Sequence, residues 1–288
     1  MYKAYDYQVK TNVAVKVYDK TNLLQREKKQ FVQTEVDIIA AIDHKNIARF
    51  YRVLEDQKSI YIVQENCGEK SLSEYVKKSK NHRLDEAEAK IVFSQFASGL
   101  KYIHSKNICH RDLKLTNILI EKYAKSLYNK ENDNSAFNCR IKLIDFGFAC
   151  HSNRKFRTYC GTPSYMAPEL VSRISYDGIQ VDIWATGVIL YKILTGGYPF
   201  GSEKDKDLER RIKNVEFTFP SYVPEPCRDL IRKCCTYNPR DRITAKEIEQ
   251  HPWMTSNQKF PQQKESENNE NDIYECQVKT QDINTKTK

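Results

Sequence analysis

His110-Arg111-Asp112-Leu113-Lys114-Leu115-Thr116-Asn117 is the stretch from which the rest of this 288-residue chain is read. It sets a carboxylate, Asp112, and an amide, Asn117, five residues apart, with Lys114 between them. Just upstream, Leu84 to His104 carries a helix signal. Leu84-Asp85-Glu86-Ala87 supplies the start, and Ala89, Val92, Phe93, Phe96, Leu100 and Ile103 recur on one face. Downstream, Ile120 to Arg140 is polar and Asn-rich, which predicts a long, mobile surface loop. Ile141-Lys142-Leu143-Ile144-Asp145-Phe146-Gly147 then brings a second carboxylate, and Ala167-Pro168-Glu169 comes after it.

These three stretches, in this order, resemble those of the protein kinases. The resemblance covers residues 1–254 and implies an α+β, two-lobed kinase fold. A small antiparallel β-sheet lobe with one key helix takes residues 1–64, a hinge residues 65–67, and a larger, mainly helical lobe residues 68–254. It implies a serine/threonine protein kinase that transfers the γ-phosphoryl group of ATP, with Mg²⁺, to Ser or Thr hydroxyls of protein substrates. By the same resemblance Asp112 takes the acceptor's proton, Lys114 and Lys16 offset phosphate charge, Glu35 orients Lys16, and Asn117 and Asp145 hold the metal. Lys114, two residues after Asp112, is the choice of serine/threonine-specific members. Thr116 stands where many kinases that prefer basic substrates have a glutamate, so a basic consensus is not implied.

Val13-Ala14-Val15-Lys16-Val17-Tyr18 alternates as a strand does, with the three valines on one face and Ala14 and Lys16 on the other. The resemblance makes Lys16 the lysine on the ATP phosphates and Ala14 part of the adenine site. From Gln25 to Ile42 the pattern is helical, with Phe31, Ile38, Ile39 and Ile42 on one stripe and Glu35 among them. A carboxylate on an apolar stripe needs a counter-ion, and Lys16, 19 residues earlier, is the expected one. Ile60 to Gly68 reads as a strand running into the hinge. There the resemblance places backbone contacts to adenine at Glu65 and Cys67, Gln64 at the back of the pocket and Leu119 among the ATP-binding residues.

Phe148 to Glu169 corresponds to an activation segment, and Gly161-Thr162-Pro163-Ser164-Tyr165-Met166-Ala167-Pro168-Glu169 resembles the calcium/calmodulin-dependent and AMP-activated branch. Thr162 is expected to contact Asp112 and Lys114. Thr158 is a candidate regulatory phosphosite for an upstream activating kinase, with Arg111 able to bind its phosphate two-pronged. Asp182, Glu169 and Arg242 are implied structural residues, the last two as a buried ion pair.

The family's amino-terminal Gly-x-Gly-x-x-Gly-x-Val hairpin is missing. The spacing puts Met1 at the valine, so the first strand and the glycines are expected upstream, and this stretch by itself is expected to bind Mg·ATP weakly. An alternative reading is a pseudokinase or scaffold that binds partners through a kinase-shaped surface. A basic nucleic-acid-binding protein rests on the net charge of +9 alone, since the Lys and Arg are scattered and no aromatic-interleaved basic stripe occurs. With 40% hydrophobic and 30% charged residues and no apolar run of membrane-spanning length, a monomeric cytoplasmic protein is expected, the nucleus being the other compartment allowed. The nine cysteines form no zinc-ribbon pair and are read as reduced, with Cys234 and Cys235 in the core. Residues 255–288, rich in Asn, Gln, Lys, Glu and Thr, are expected to be a disordered polar tail.

Overall fold

A computed structural model of the chain describes residues 1–23, 26–122, 139–153 and 155–256. Most of the expected loop between Ile120 and Arg140, Arg154, and the expected tail after Ser256 lie outside the described residues.

The amino-terminal lobe is one antiparallel sheet, β1 (Tyr2–Asp6), β2 (Thr11–Asp19), β3 (Phe50–Glu55) and β4 (Ser59–Glu65), in the order β1-β2-β4-β3, with helix α1 (Arg26–Ala40) between β2 and β3 in the chain. Branched and aromatic side chains give β2 its preference for a pleated, half-buried surface. Its register sets Ala14 opposite Gln64 and Lys16 opposite Ile62. Val13 and Ile62 are buried, and Lys16 is half-buried.

On α1 the buried residues are Val32, Glu35, Ile38 and Ile39, with Ile42 just past the helix end. Phe31, expected on this stripe, is instead 52% exposed. One residue is a 100° turn on a helix. Burial starts at Val32, so the inward face is rotated by that one step and Phe31 falls at its margin.

The carboxy-terminal lobe contains α2 (Leu72–Lys78), α3 (Glu86–Ser105), β5 (Ile108–Cys109), β6 (Ile118–Lys122), β7 (Cys139–Leu143), β8 (Cys150–His151), α4 (Pro168–Val171), α5 (Gly178–Thr195), α6 (Leu208–Asn214), α7 (Glu225–Cys234), α8 (Ala245–Gln250) and α9 (Pro252–Thr255). Asp85 caps α3 by accepting a hydrogen bond from the Glu88 amide at 2.8 Å, an interaction typically worth about 1 kcal/mol. All six residues of the α3 stripe are buried. The core is built on α5, which is apolar nearly all round and buried along most of its length. Trp184 stacks on Phe200 with ring centroids 5.2 Å apart, and Cys234 and Cys235 are buried as expected.

Two short antiparallel pairs, β5 with β8 and β6 with β7, present the loops between them at the junction of the lobes. Among the described residues no helix is long and apolar enough to cross a membrane.

Candidate active site

Lys16 on β2 donates to Glu35 Oε1 at 2.7 Å and to Asp145 Oδ1 at 2.9 Å, so one ammonium joins the sheet, the helix and the larger lobe. Glu35 is 1% exposed, and its other oxygen accepts from the Tyr18 hydroxyl. A buried carboxylate is tolerated only when its oxygens are satisfied in this way. Burial works against the charged form of Lys16, but the Glu35 and Asp145 carboxylates outweigh it and hold its pKa above the ordinary lysine value. Burial, aided by Glu35, pushes the Tyr18 hydroxyl up to about 12. Tyr18 escaped the sequence analysis, although period two puts it on the same face of β2 as Lys16.

Asp112 is 6% exposed and sits in a closed triangle. Lys114 Nζ donates to Asp112 Oδ2 at 2.7 Å and to Thr162 Oγ1 at 3.2 Å, and Thr162 Oγ1 donates to Asp112 Oδ1 at 3.1 Å. The expected contact of Thr162 with both residues is therefore present. Asn117 Nδ2 donates to the Asp112 carbonyl at 2.9 Å, which closes the loop on itself. From below, Asp182 near the start of α5 accepts the His110 amide at 2.7 Å and the Arg111 amide at 2.8 Å. His104 Nε2 lies 3.1 Å from the same carboxylate, a contact across 78 residues for which the sequence offers no local signal.

Arg111 and Asp145 both have positive φ, +63° and +62°. Left-handed backbone costs a non-glycine residue roughly 1–2 kcal/mol. Here the hydrogen bonds to Asp182 and the pairing with Lys16 hold it in place. Burial opposes ionisation of Asp145, but the adjacent Lys16 charge lowers its pKa below the ordinary aspartate value. At Gly147 a Cβ would come within 3.2 Å of Lys16 Nζ and 3.3 Å of Asp145 Oδ1, so only glycine leaves the space beside these groups open. Asp145 and Asn117 offer hard oxygen donors of the kind Mg²⁺ takes, and Mg²⁺ usually uses one or two carboxylates together with substrate phosphates. No cluster of three or more His, Cys, Asp or Glu suited to a metal occurs among the described residues.

Residues 1–254 match the family model described as "Protein kinase domain". The chain belongs to the protein kinase family. It is 38% identical over 247 residues to the serine/threonine-protein kinase kin-29 of Caenorhabditis elegans, covering 85% of this chain and 28% of that protein. It is 36% identical over 244 residues to the serine/threonine protein kinase OSK3 of Oryza sativa subsp. indica, covering 84% of this chain and 45% of the relative. It is 35% identical over 246 residues to the probable serine/threonine-protein kinase MARK-A of Dictyostelium discoideum, covering 85% and 22%. The chain thus spans less than half the length of each of these curated relatives.

The remaining expected site residues of this kinase domain fall into three places. At the hinge, the Glu65 amide is already bonded to the Arg49 carbonyl at 2.8 Å, and the Glu65 side chain accepts from Lys142 Nζ at 2.7 Å, tying the hinge to β7. Cys67 is buried, and burial pushes its thiol up to about 12, so it stays protonated. Gln64 is buried, while Ala14 and Leu119 are half-buried.

In the activation segment Thr158 is exposed, and among the described residues no hydrogen bond joins its side chain to Arg111. Its carbonyl instead accepts from the Tyr176 hydroxyl at 2.8 Å, and Arg111 NH1 donates to that hydroxyl at 3.2 Å. Arg111 also donates from Nε to the Phe148 carbonyl at 2.8 Å. Below the segment, Arg242 meets Glu169 in two parallel bonds of 2.7 and 2.8 Å, both side chains being almost completely buried.

Proposed function

We propose that this protein is a serine/threonine kinase that moves the γ-phosphoryl group of ATP to hydroxyls of protein substrates. The observation that carries the reading is the Asp112–Lys114–Thr162 triangle, facing the lobe junction that Lys16, Glu35 and Asp145 close from the other side. In this mechanism Asp112 orients the acceptor hydroxyl and takes its proton as the oxygen attacks phosphorus. Lys114 offsets charge on the transferring oxygens, and Thr162 holds the unused face of the Asp112 carboxylate. Lys16 holds the α- and β-phosphates and is kept in position by Glu35, while Asn117 and Asp145 would hold Mg²⁺, which would supply neutralisation of phosphate charge. The Glu65 and Cys67 backbone takes the adenine between Ala14 and Leu119. The relatives, named as serine/threonine kinases, support the alcohol specificity and the resemblance to the calmodulin-dependent and AMP-activated branch. Against the scaffold alternative, Lys16, Glu35, Asp112, Asn117 and Asp145 are all present. The test is transfer from labelled ATP to a generic protein acceptor, followed by phosphoamino-acid analysis. Label on serine and threonine is expected, and label confined to tyrosine would refute the reading.

Glu35→Gln is expected to lower kcat/KM for ATP by about 10- to 100-fold, the equivalent of one charged hydrogen bond of roughly 1.5–3 kcal/mol. Glu35 acts through Lys16, so most of the loss is expected in KM for ATP, with KM for the protein acceptor nearly unchanged. Kinetics with each substrate varied in turn distinguish this from a general loss of fold.

Phosphorylation of Thr158 by an upstream kinase is expected to raise activity. An added phosphate would compete for Arg111, whose guanidinium is now held by the Phe148 carbonyl and Tyr176, and would draw the segment onto the catalytic loop. Thr158→Ala should abolish the gain, whereas full activity of that variant beside a phosphorylated parent would exclude the role.

A further inference from the structure

We propose that Cys109 and Cys150 are a reversible disulfide site, closed by hydrogen peroxide, that ties the catalytic loop to the start of the activation segment. The two residues face each other directly in the β5–β8 ladder. Opposed residues of an antiparallel pair have Cα atoms about 4.5–5.5 Å apart, inside the range of about 4.4–6.8 Å that a disulfide spans. Cys109 Sγ already points across the ladder, donating to the Cys150 carbonyl at 3.1 Å. It is also within hydrogen-bonding reach of the Cys150 thiol.

The two thiols differ in the way an attacking and a resolving sulfur differ. Cys109 is fully buried, lodged where Gly178 of α5 lacks a side chain, and a Cβ on that glycine would overlap its sulfur. The hydrogen bond with Cys150 and its burial push the Cys109 thiol far up, so it stays protonated. Cys150 is half-buried and open to a small oxidant. Its Sγ donates to the Phe148 carbonyl at 3.7 Å, the same oxygen that takes Arg111 Nε at 2.8 Å. The core thiols Cys227, Cys234 and Cys235 are buried.

The chemistry balances in two steps. The Cys150 sulfur attacks one peroxide oxygen, the O–O bond breaks, and with the thiol's proton the other oxygen leaves as water, giving a sulfenic acid. Cys109 sulfur then attacks the Cys150 sulfur, its proton goes to the departing hydroxyl, and a second water leaves as the S–S bond forms. Two thiols are oxidised and one peroxide is reduced.

The test treats the whole protein with a small excess of hydrogen peroxide, blocks remaining thiols and maps peptides without reduction. A linked pair containing Cys109 and Cys150 is expected, which disappears with dithiothreitol and in Cys150→Ser. Cys160→Ser, which removes the third thiol of this neighbourhood, should retain it. Recovery of Cys150 unmodified, only as sulfinic acid, or joined to Cys160 would overturn the proposal. The readout is a covalent bond and does not depend on phosphoryl transfer.

Discussion

Asp112→Asn is expected to lower phosphoryl transfer by about 10²- to 10⁴-fold, the span that one positioned general base contributes. The fold and nucleotide affinity should scarcely change. The amide is isosteric, and its oxygen can still accept from Thr162 or Lys114. The Asp112 carbonyl, which takes the Asn117 side chain, is untouched. What disappears is the negative oxygen able to hold a proton. The comparison is kcat on a generic protein acceptor alongside thermal melting with and without Mg·ATP. Turnover within twofold of the parent, at equal melting temperature, would remove Asp112 from the mechanism.

The largest effect on stability should come from Arg242→Ala. The side chain makes both bonds to Glu169, donates to the carbonyls of Thr236 and Gln180 at 2.9 Å each, and lies 5.0 Å above the Trp184 ring. Removing one partner of such a pair leaves a buried, uncompensated charge and typically costs about 3–5 kcal/mol. For a domain of this size each kcal/mol lowers Tm by about 2–4 °C, so a fall on the order of 10 °C is expected. Arg242→Met combined with Glu169→Leu should lose less than Arg242→Ala, because no charge is then stranded. A double variant as unstable as the single one would show that packing against Trp184, and not the ion pair, dominates at this site.

Much of this was legible because the chemistry is local in sequence. Asp112, Lys114 and Asn117 lie within one loop, and Glu35 betrayed its partner by being a carboxylate on an apolar stripe. The same stripe misled at Phe31, since periodicity gives the spacing of a face but not which neighbour begins to cover it. At Glu65 the resemblance implies backbone contacts only, and nothing in the sequence marks its side chain. Its bond to Lys142 spans 77 residues, and neither residue carries any local mark of the other. Thr162 could be placed because its contacts follow a family motif. The Tyr176 link between Arg111 and Thr158 could not, because a tyrosine hydroxyl bonded to a carbonyl leaves no pattern in composition or spacing.

The Asp182 anchor has a consequence for when this active site comes into being. His110 and Arg111 are held through hydrogen bonds to a carboxylate that lies 72 and 71 residues further along the chain. On the ribosome, at about 5–20 residues per second, the whole catalytic-loop sequence is therefore made several seconds before the residue that gives it shape. During that interval the nascent chain holds the letters of the site without its geometry. A release or a nick between Asn117 and Asp182 would leave a fragment with the full motif and no means of fixing it. Competence arrives only when α5 has been synthesised and packed.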